Sequence, residues 1–158
     1  MRLTDLTSHR IEGIARMGMT PFSVPLFSQV NDTLWQGGCP VGEAPDEFQF
    51  IINLYPWEPY RWQPYQEMHV HTLYDSETLP DLRLLDYLAD TVNACRKRGP
   101  TLVHCQAGLN RSAFVTALAL IKDGNAPEAA IALLRMKRSP AVLCNAAFER
   151  HLLTCKAF

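Results

Sequence analysis

The sequence predicts an α/β domain with a short, mainly parallel central sheet flanked by helices. Three observations carry this. Two brief apolar runs, Phe50–Tyr55 and Thr101–Val103, are too short for helices and too continuously apolar for half-exposed strands, as expected of parallel strands covered on both faces. Two longer stretches, Leu79–Arg98 and Ser112–Lys122, have the composition and spacing of helices. Strand-like and helix-like segments then alternate through the second half of the chain.

With 158 residues the chain has the size of one domain with a substantial core. Hydrophobic residues make up 47% and charged residues 20%, as in ordinary globular proteins. A net charge of −1 supplies no basic field, which disfavours nucleic acid or an anionic membrane as the main partner. No apolar run reaches membrane-spanning length or resembles a secretory signal. Five cysteines, an odd number, argue against a disulfide framework and point to a reducing, cytoplasmic setting.

Residues 1–20 are expected to form an arm, with a short amphipathic helix over Thr7–Met17, and residues 21–158 a single domain. Leu26–Val30 and Thr33–Gln36 flank Asn31-Asp32 and predict a hairpin, closed by Gly37-Gly38. A short helix is expected over Glu43–Phe48, then the buried strand. Between Pro56 and Tyr65 three prolines and four aromatics exclude regular structure. Trp57, Tyr60 and Trp62 there either face a recognition cleft or fold inward over the core. Met68–Tyr74 predicts another strand. It places His69 and His71 on one face, but no third metal ligand stands at a convincing spacing.

The polar loop Asp75–Thr78 leads into the Leu79–Arg98 helix. Leu82, Leu85, Leu88, Ala89, Val92 and Cys95 form its apolar stripe, and Thr78 with Asp81 match a capping box. After the second helix, Pro127 and Glu128 fit the first turn of a third, and Asn145 caps a fourth.

The chemistry gathers in His104-Cys105-Gln106-Ala107-Gly108-Leu109-Asn110-Arg111-Ser112, between the strand and the buried helix. Five residues separate Cys105 from Arg111, enough for one loop to curl around a tetrahedral oxyanion. Backbone N–H groups and the helix N-terminus supply positive potential there. Gly108 permits the curl. Arg111 offers a two-pronged donor to phosphate oxygens, and the same field favours the nucleophilic thiolate of Cys105. Cys39, Cys95, Cys144 and Cys155 read as buried apolar side chains. No Cys-x-x-Cys pair exists, so no metal is expected.

This stretch resembles the His-Cys-x5-Arg-Ser/Thr signature of cysteine-dependent protein tyrosine phosphatases, and the chain length is similar to that of the dual-specificity branch. The resemblance implies a cofactor-free phosphatase acting on phosphorylated proteins or peptides. In it Cys105 attacks phosphorus, Gln106 to Arg111 hold the phosphate, Ser112 assists the sulfur and His104 orients the loop. It places a general acid on a loop between a strand and the helix before the phosphate loop, a position Asp75 matches better than Asp81. It also extends to Asn145, where a family Asn opens the last helix. Two other readings stand beside it: an RNA 5′-triphosphatase of the same superfamily, from Gly-x-Asn-Arg, and a non-catalytic module that binds phosphorylated ligands. The presence of nucleophile, arginine and acid favours the enzyme. Substrate is expected to include phosphotyrosine and phosphoserine or phosphothreonine.

Overall fold

The computed structural model describes residues 9–15 and 20–156. Its centre is a five-stranded sheet. β3 (Phe27–Gln29) and β4 (Leu34–Gly37) form the expected hairpin, and β5 (Phe50–Asn53), β6 (Glu67–Val70) and β7 (Thr101–His104) complete the order β3-β4-β7-β5-β6. Within this sheet only the β3–β4 pair is antiparallel. β5 and β7 are buried at every position, and their alternation divides the core. Phe50, Ile52 and Val103 face a layer of helices, while Ile51 and Leu102 face Phe27, Phe48 and Trp35. Phe48 meets Phe27 and Trp35 edge-on, each at 5.8 Å. Its full burial is worth roughly 1.5–3 kcal/mol.

The helices are α1 (Leu82–Arg96), α2 (Arg111–Lys122), α3 (Pro127–Lys137) and α4 (Ala146–Thr154). Ala113 through Ile121 of α2 are all buried, as the apolar sequence requires. α1 starts three residues later than expected, because Asp81 itself is the N-cap: its Oδ1 accepts from Arg83 N–H at 2.9 Å and Leu84 N–H at 3.0 Å. Thr78 therefore caps nothing, and Leu82 is 56% exposed instead of joining the buried stripe.

Two further expectations fail. No helix covers Glu43–Phe48; Pro45 withholds a donor, and Gly42 and Ala44 bond with Arg61 across the following loop. The helix over Thr7–Met17 is instead a strand, as far as it falls on described residues: β1 (Arg10–Ala15) pairs antiparallel with β2 (Thr20–Pro25). Residues 7–8 and 16–17 of that expectation lie outside the described residues. Pro21 and Pro25 are four apart and share one pairing register on an edge strand, where a missing N–H is tolerated. Arg10 ties the strands by donating to Ser23 Oγ at 2.9 Å and Ser23 O at 2.7 Å.

Asp81→Ala is expected to lower stability by about 1 kcal/mol through loss of the α1 cap. Chemical denaturation of the two proteins measures this.

Candidate active site

The segment from Cys105 to Arg111 leaves the C-terminal end of the central strand β7 and enters α2, at the carboxyl ends of the parallel strands where α/β folds place their ligand sites. Its shape is fixed from outside by its carbonyls. Cys105 O accepts from His104 Nδ1, Gln106 O from Cys39 N–H, and Ala107 O from Arg138 Nη2. Gly108 O accepts from Arg138 Nε and Gln36 Nε2, Leu109 O from Leu143 N–H, and Asn110 O from Phe114 N–H. With six consecutive carbonyls turned outward, the peptide N–H groups turn inward. Among the described residues, no protein acceptor takes the N–H groups of 106–111. Such a ring of N–H groups is a nest for an anion.

Gly108 is required twice over. Its φ is +70°, and a Cβ there would come within 2.6 Å of Gly37 O and 2.8 Å of Arg138 Nη2. Asn110 precedes α2, yet its side chain makes no cap. The first turn of α2 is thus left open toward the loop, with its dipole behind it.

Cys105 lies at the floor of the loop, 2% exposed. Its Sγ is 3.2 Å from Ser112 Oγ, which accepts from Gln36 Nε2 at 2.7 Å. The same Nε2 faces Gly108 O, which can only accept, so the amide orientation is set and the Ser112 hydroxyl proton has two acceptors, the sulfur at 3.2 Å and Gly37 O at 3.4 Å. His104 is fully buried beneath the loop. Its Nδ1 lies 3.0 Å from Cys105 O and its Nε2 2.7 Å from Tyr60 Oη. A carbonyl demands Nδ1–H, so Nε2 accepts from the Tyr60 hydroxyl and the ring is neutral. Burial pulls the His104 imidazole down to about 4. Burial pushes the neighbouring Cys39 thiol up to about 12, with Glu58 adding to it, which keeps Cys39 neutral.

Arg111 is backed by the Tyr55 ring, 5.1 Å from its guanidinium, and donates from Nη1 to Leu73 O at 3.2 Å. Among the described residues, its buried Nε has no hydrogen-bond partner. Tyr55 packs against Trp57 with tilted rings at 5.0 Å, and Trp57 likewise against Tyr74 at 5.7 Å. The 56–65 loop thus divides its rings: Tyr60 goes inward to His104, Trp57 braces the backing of Arg111, and Trp62 stands half-exposed elsewhere.

Asp75 reaches the same cavity from the loop after β6. One carboxylate oxygen accepts from Asn110 Nδ2 at 2.9 Å and the other from Asn145 Nδ2 at 2.8 Å. Asn145 also donates to Ser76 O and caps α4 through Oδ1, while its N–H donates to Asn110 Oδ1. Asp81 is occupied at the α1 cap and does not line this cavity. The cavity measures about 170 Å³ and is lined by Asp75, Cys105, Asn110 and Arg111 together with Ile14, Ala15 and Phe22. A larger, apolar cavity of about 360 Å³ between α1, α2 and α4 touches no residue of the loop.

Sequence reasoning missed Gln36 and Arg138. Neither belongs to a motif, and each acts across a long stretch of chain. The histidine pair also needs correcting. β6 ends at Val70, and His71 turns to the Tyr87 ring at 5.6 Å. His69 Nε2 instead meets Glu67 Oε2 at 2.9 Å and Cys95 Sγ at 3.9 Å, a trio whose ligand atoms could hold a metal ion. It shares no residue with the loop cavity.

A sequence model described as the dual specificity phosphatase catalytic domain matches residues 40–157. No curated protein sequence matches the chain. Among solved structures, a mouse protein assigned as a dual specificity phosphatase and crystallised with zinc tungstate is 22% identical. It superposes with a TM-score of 0.72 over 81% of this chain and 84% of its own. Human DUSP28 is 19% identical, with a TM-score of 0.68 over 81% and 90%. OH1 of the Orf virus, a tyrosine phosphatase, is 18% identical, with a TM-score of 0.64 over 83% and 86%. At these identities the likeness is one of fold. No helix among the described residues is long and apolar enough to cross a membrane.

The neutral His104 has a consequence for stability. Its folded value lies below the unfolded one of 6.5, so between about 6.5 and about 4 the unfolded chain binds more protons. This contribution is complete above pH 6.5 and is lost as pH falls toward 4, a loss of order 3 kcal/mol. Urea denaturation between pH 7 and 5 should show a shallower decline for His104→Gln than for the unaltered protein.

Proposed function

This chain belongs to the dual specificity phosphatase catalytic-domain family, whose members are cysteine-dependent phosphoric monoester hydrolases, and on that premise we propose that it dephosphorylates proteins through a cysteinyl-phosphate. Phosphotyrosine is the preferred substrate, with phosphoserine and phosphothreonine also hydrolysed. The observation that carries this reading is the loop whose six carbonyls are all engaged from outside, leaving N–H groups directed at the space above Cys105.

In the first step the Cys105 sulfur attacks phosphorus in line, the P–S bond forms and the bond to the departing oxygen breaks. The N–H groups of 106–111 and the Arg111 guanidinium hold the three equatorial oxygens, a mainly electrostatic contribution. The free Arg111 Nε supports a second prong toward those oxygens. Asp75 gives its proton to the departing oxygen, then takes one from the water that attacks phosphorus as the P–S bond breaks. Sulfur leaves as thiolate, accepting from the Ser112 hydroxyl that Gln36 has already oriented. Asn110 and Asn145 grip the two oxygens of Asp75 and so hold the acid over the loop.

Cys105→Ser should abolish turnover of aryl phosphates while leaving inorganic phosphate bound. Asp75→Ala should lower kcat by ~10²–10⁴-fold for alkyl phosphates and far less for nitrophenyl phosphate, whose leaving group needs little protonation. Asn145→Ser keeps a capping oxygen for α4 but loses the donor to Asp75. It should show a smaller loss with the same dependence on leaving group. A uniform loss across leaving groups would remove Asp75 from the role of acid.

A further inference from the structure

We infer that the β1–β2 hairpin is the wall of a ring subsite, in which Phe22 packs against the aromatic ring of a phosphotyrosine whose phosphate sits in the 105–111 loop. The inference rests on the loop assignment proposed above and names the element that recognises the substrate.

The hairpin lies outside the stretch that the family model matches, which begins at residue 40. It is nevertheless built onto the phosphate loop. A Cβ at Gly38 would collide with Ile11 Cδ1 and come within 2.8 Å of Gln106 O, so the base of the hairpin packs tightly at the loop. Arg138 fastens both: Nη1 donates to Pro25 O at 2.8 Å, while Nε and Nη2 donate to Gly108 O and Ala107 O. A wall anchored to the same guanidinium as the loop keeps a fixed position relative to a bound phosphate.

The orientation of Phe22 is also set. Gly13 is its cross-strand partner, and a Cβ on Gly13 would meet the Phe22 ring edge at 3.2 Å. The ring therefore lies across the bare backbone of Gly13, as aromatics do over strand glycines. From there Phe22 lines the cavity that Cys105 floors. Asp75, Asn110 and Arg111 line the same cavity, so its lining joins polar groups to the Phe22 ring. The aromatics of the 56–65 loop are not part of that lining. Tyr60 is bound to His104, and Trp57 is packed between Tyr55 and Tyr74.

A wall beside the phosphate discriminates between esters by the group attached to the ester oxygen. In phosphotyrosine the ring begins there and runs along the wall. In phosphoserine or phosphothreonine one carbon leads directly to peptide backbone, which gains little from an apolar surface. An aromatic contact of this kind is worth roughly tenfold in affinity.

The test is made in the Cys105→Ser background, by calorimetric titration with inorganic phosphate, a phosphotyrosine peptide and the matched phosphothreonine peptide. Adding Phe22→Ala should weaken phosphotyrosine peptide binding roughly tenfold and leave the other two ligands within about twofold. Phe22→Leu, which keeps an apolar side chain over Gly13, should fall between. Unchanged phosphotyrosine binding in Phe22→Ala overturns the wall, as does an equal loss on all three ligands, which marks damage to the loop. Failure of phosphate to bind with Phe22 in place overturns the loop assignment, and the wall with it.

Discussion

Arg138 is 8% exposed, and its guanidinium is held by four neutral oxygens: Pro25 O, Ser28 Oγ, Ala107 O and Gly108 O. Burial draws it down to about 10, so it keeps its charge at neutral pH. A buried carbonyl left without a donor costs about 1–3 kcal/mol, and Arg138 supplies a donor to each of these four oxygens. The cation therefore compels the carbonyls of residues 107 and 108 to face it, and the peptide planes leave their N–H groups on the other side. The positive φ of Gly108 is the local backbone cost of that arrangement. The anion nest is in this sense the inner face of a structure organised around a buried arginine.

The remaining contacts of the loop have the same logic of outside support. Gln36 at the end of β4 fixes Ser112 and Gly108, and His104 at the end of β7 fixes the Cys105 carbonyl. Leu143, in the left-handed region at φ 60°, brings its N–H to Leu109 O. Two residues on, Asn145 closes the ring by binding Asp75. The Asp75 loop, the α4 start and the 105–111 loop are thus one hydrogen-bonded unit. Asn110 is its hinge point, contacting both Asp75 and the Asn145 backbone. A side chain spent in this way cannot also cap α2, and the open first turn adds to the positive potential at the loop.

Much of this was legible in the chain. The Cys105–Ser112 spacing between an apolar strand and an apolar helix fixed where an anion nest would stand. Asp81 at a helix start and Asp75 in a loop divided structural from cavity-lining carboxylates, although the cap proved to be Asp81 itself and not Thr78. The hairpin was hidden because Ile11 and Ile14 have helical spacing, and only pairing with Thr20–Pro25 makes β1 a strand. Gln36 and Arg138 were hidden for a different reason. Their partners lie 72 and up to 113 residues away, and no local pattern marks a polar side chain destined for burial. Tyr60 and Trp57 share one proline-rich loop yet serve His104 and Tyr55 respectively, a division decided by tertiary packing.

The central claim is that the loop holds a phosphoryl group for transfer to the Cys105 sulfur. Ser112→Ala removes the hydroxyl that assists sulfur as it leaves, which slows the second step and lets the intermediate accumulate. Rapid acid quenching of that variant with an aryl phosphate, followed by intact and peptide mass analysis, tests the claim most directly. The account predicts a protein heavier by one phosphoryl group, carried on the peptide containing Cys105. Steady hydrolysis of the substrate with no such adduct, or with the adduct on another residue, would contradict it.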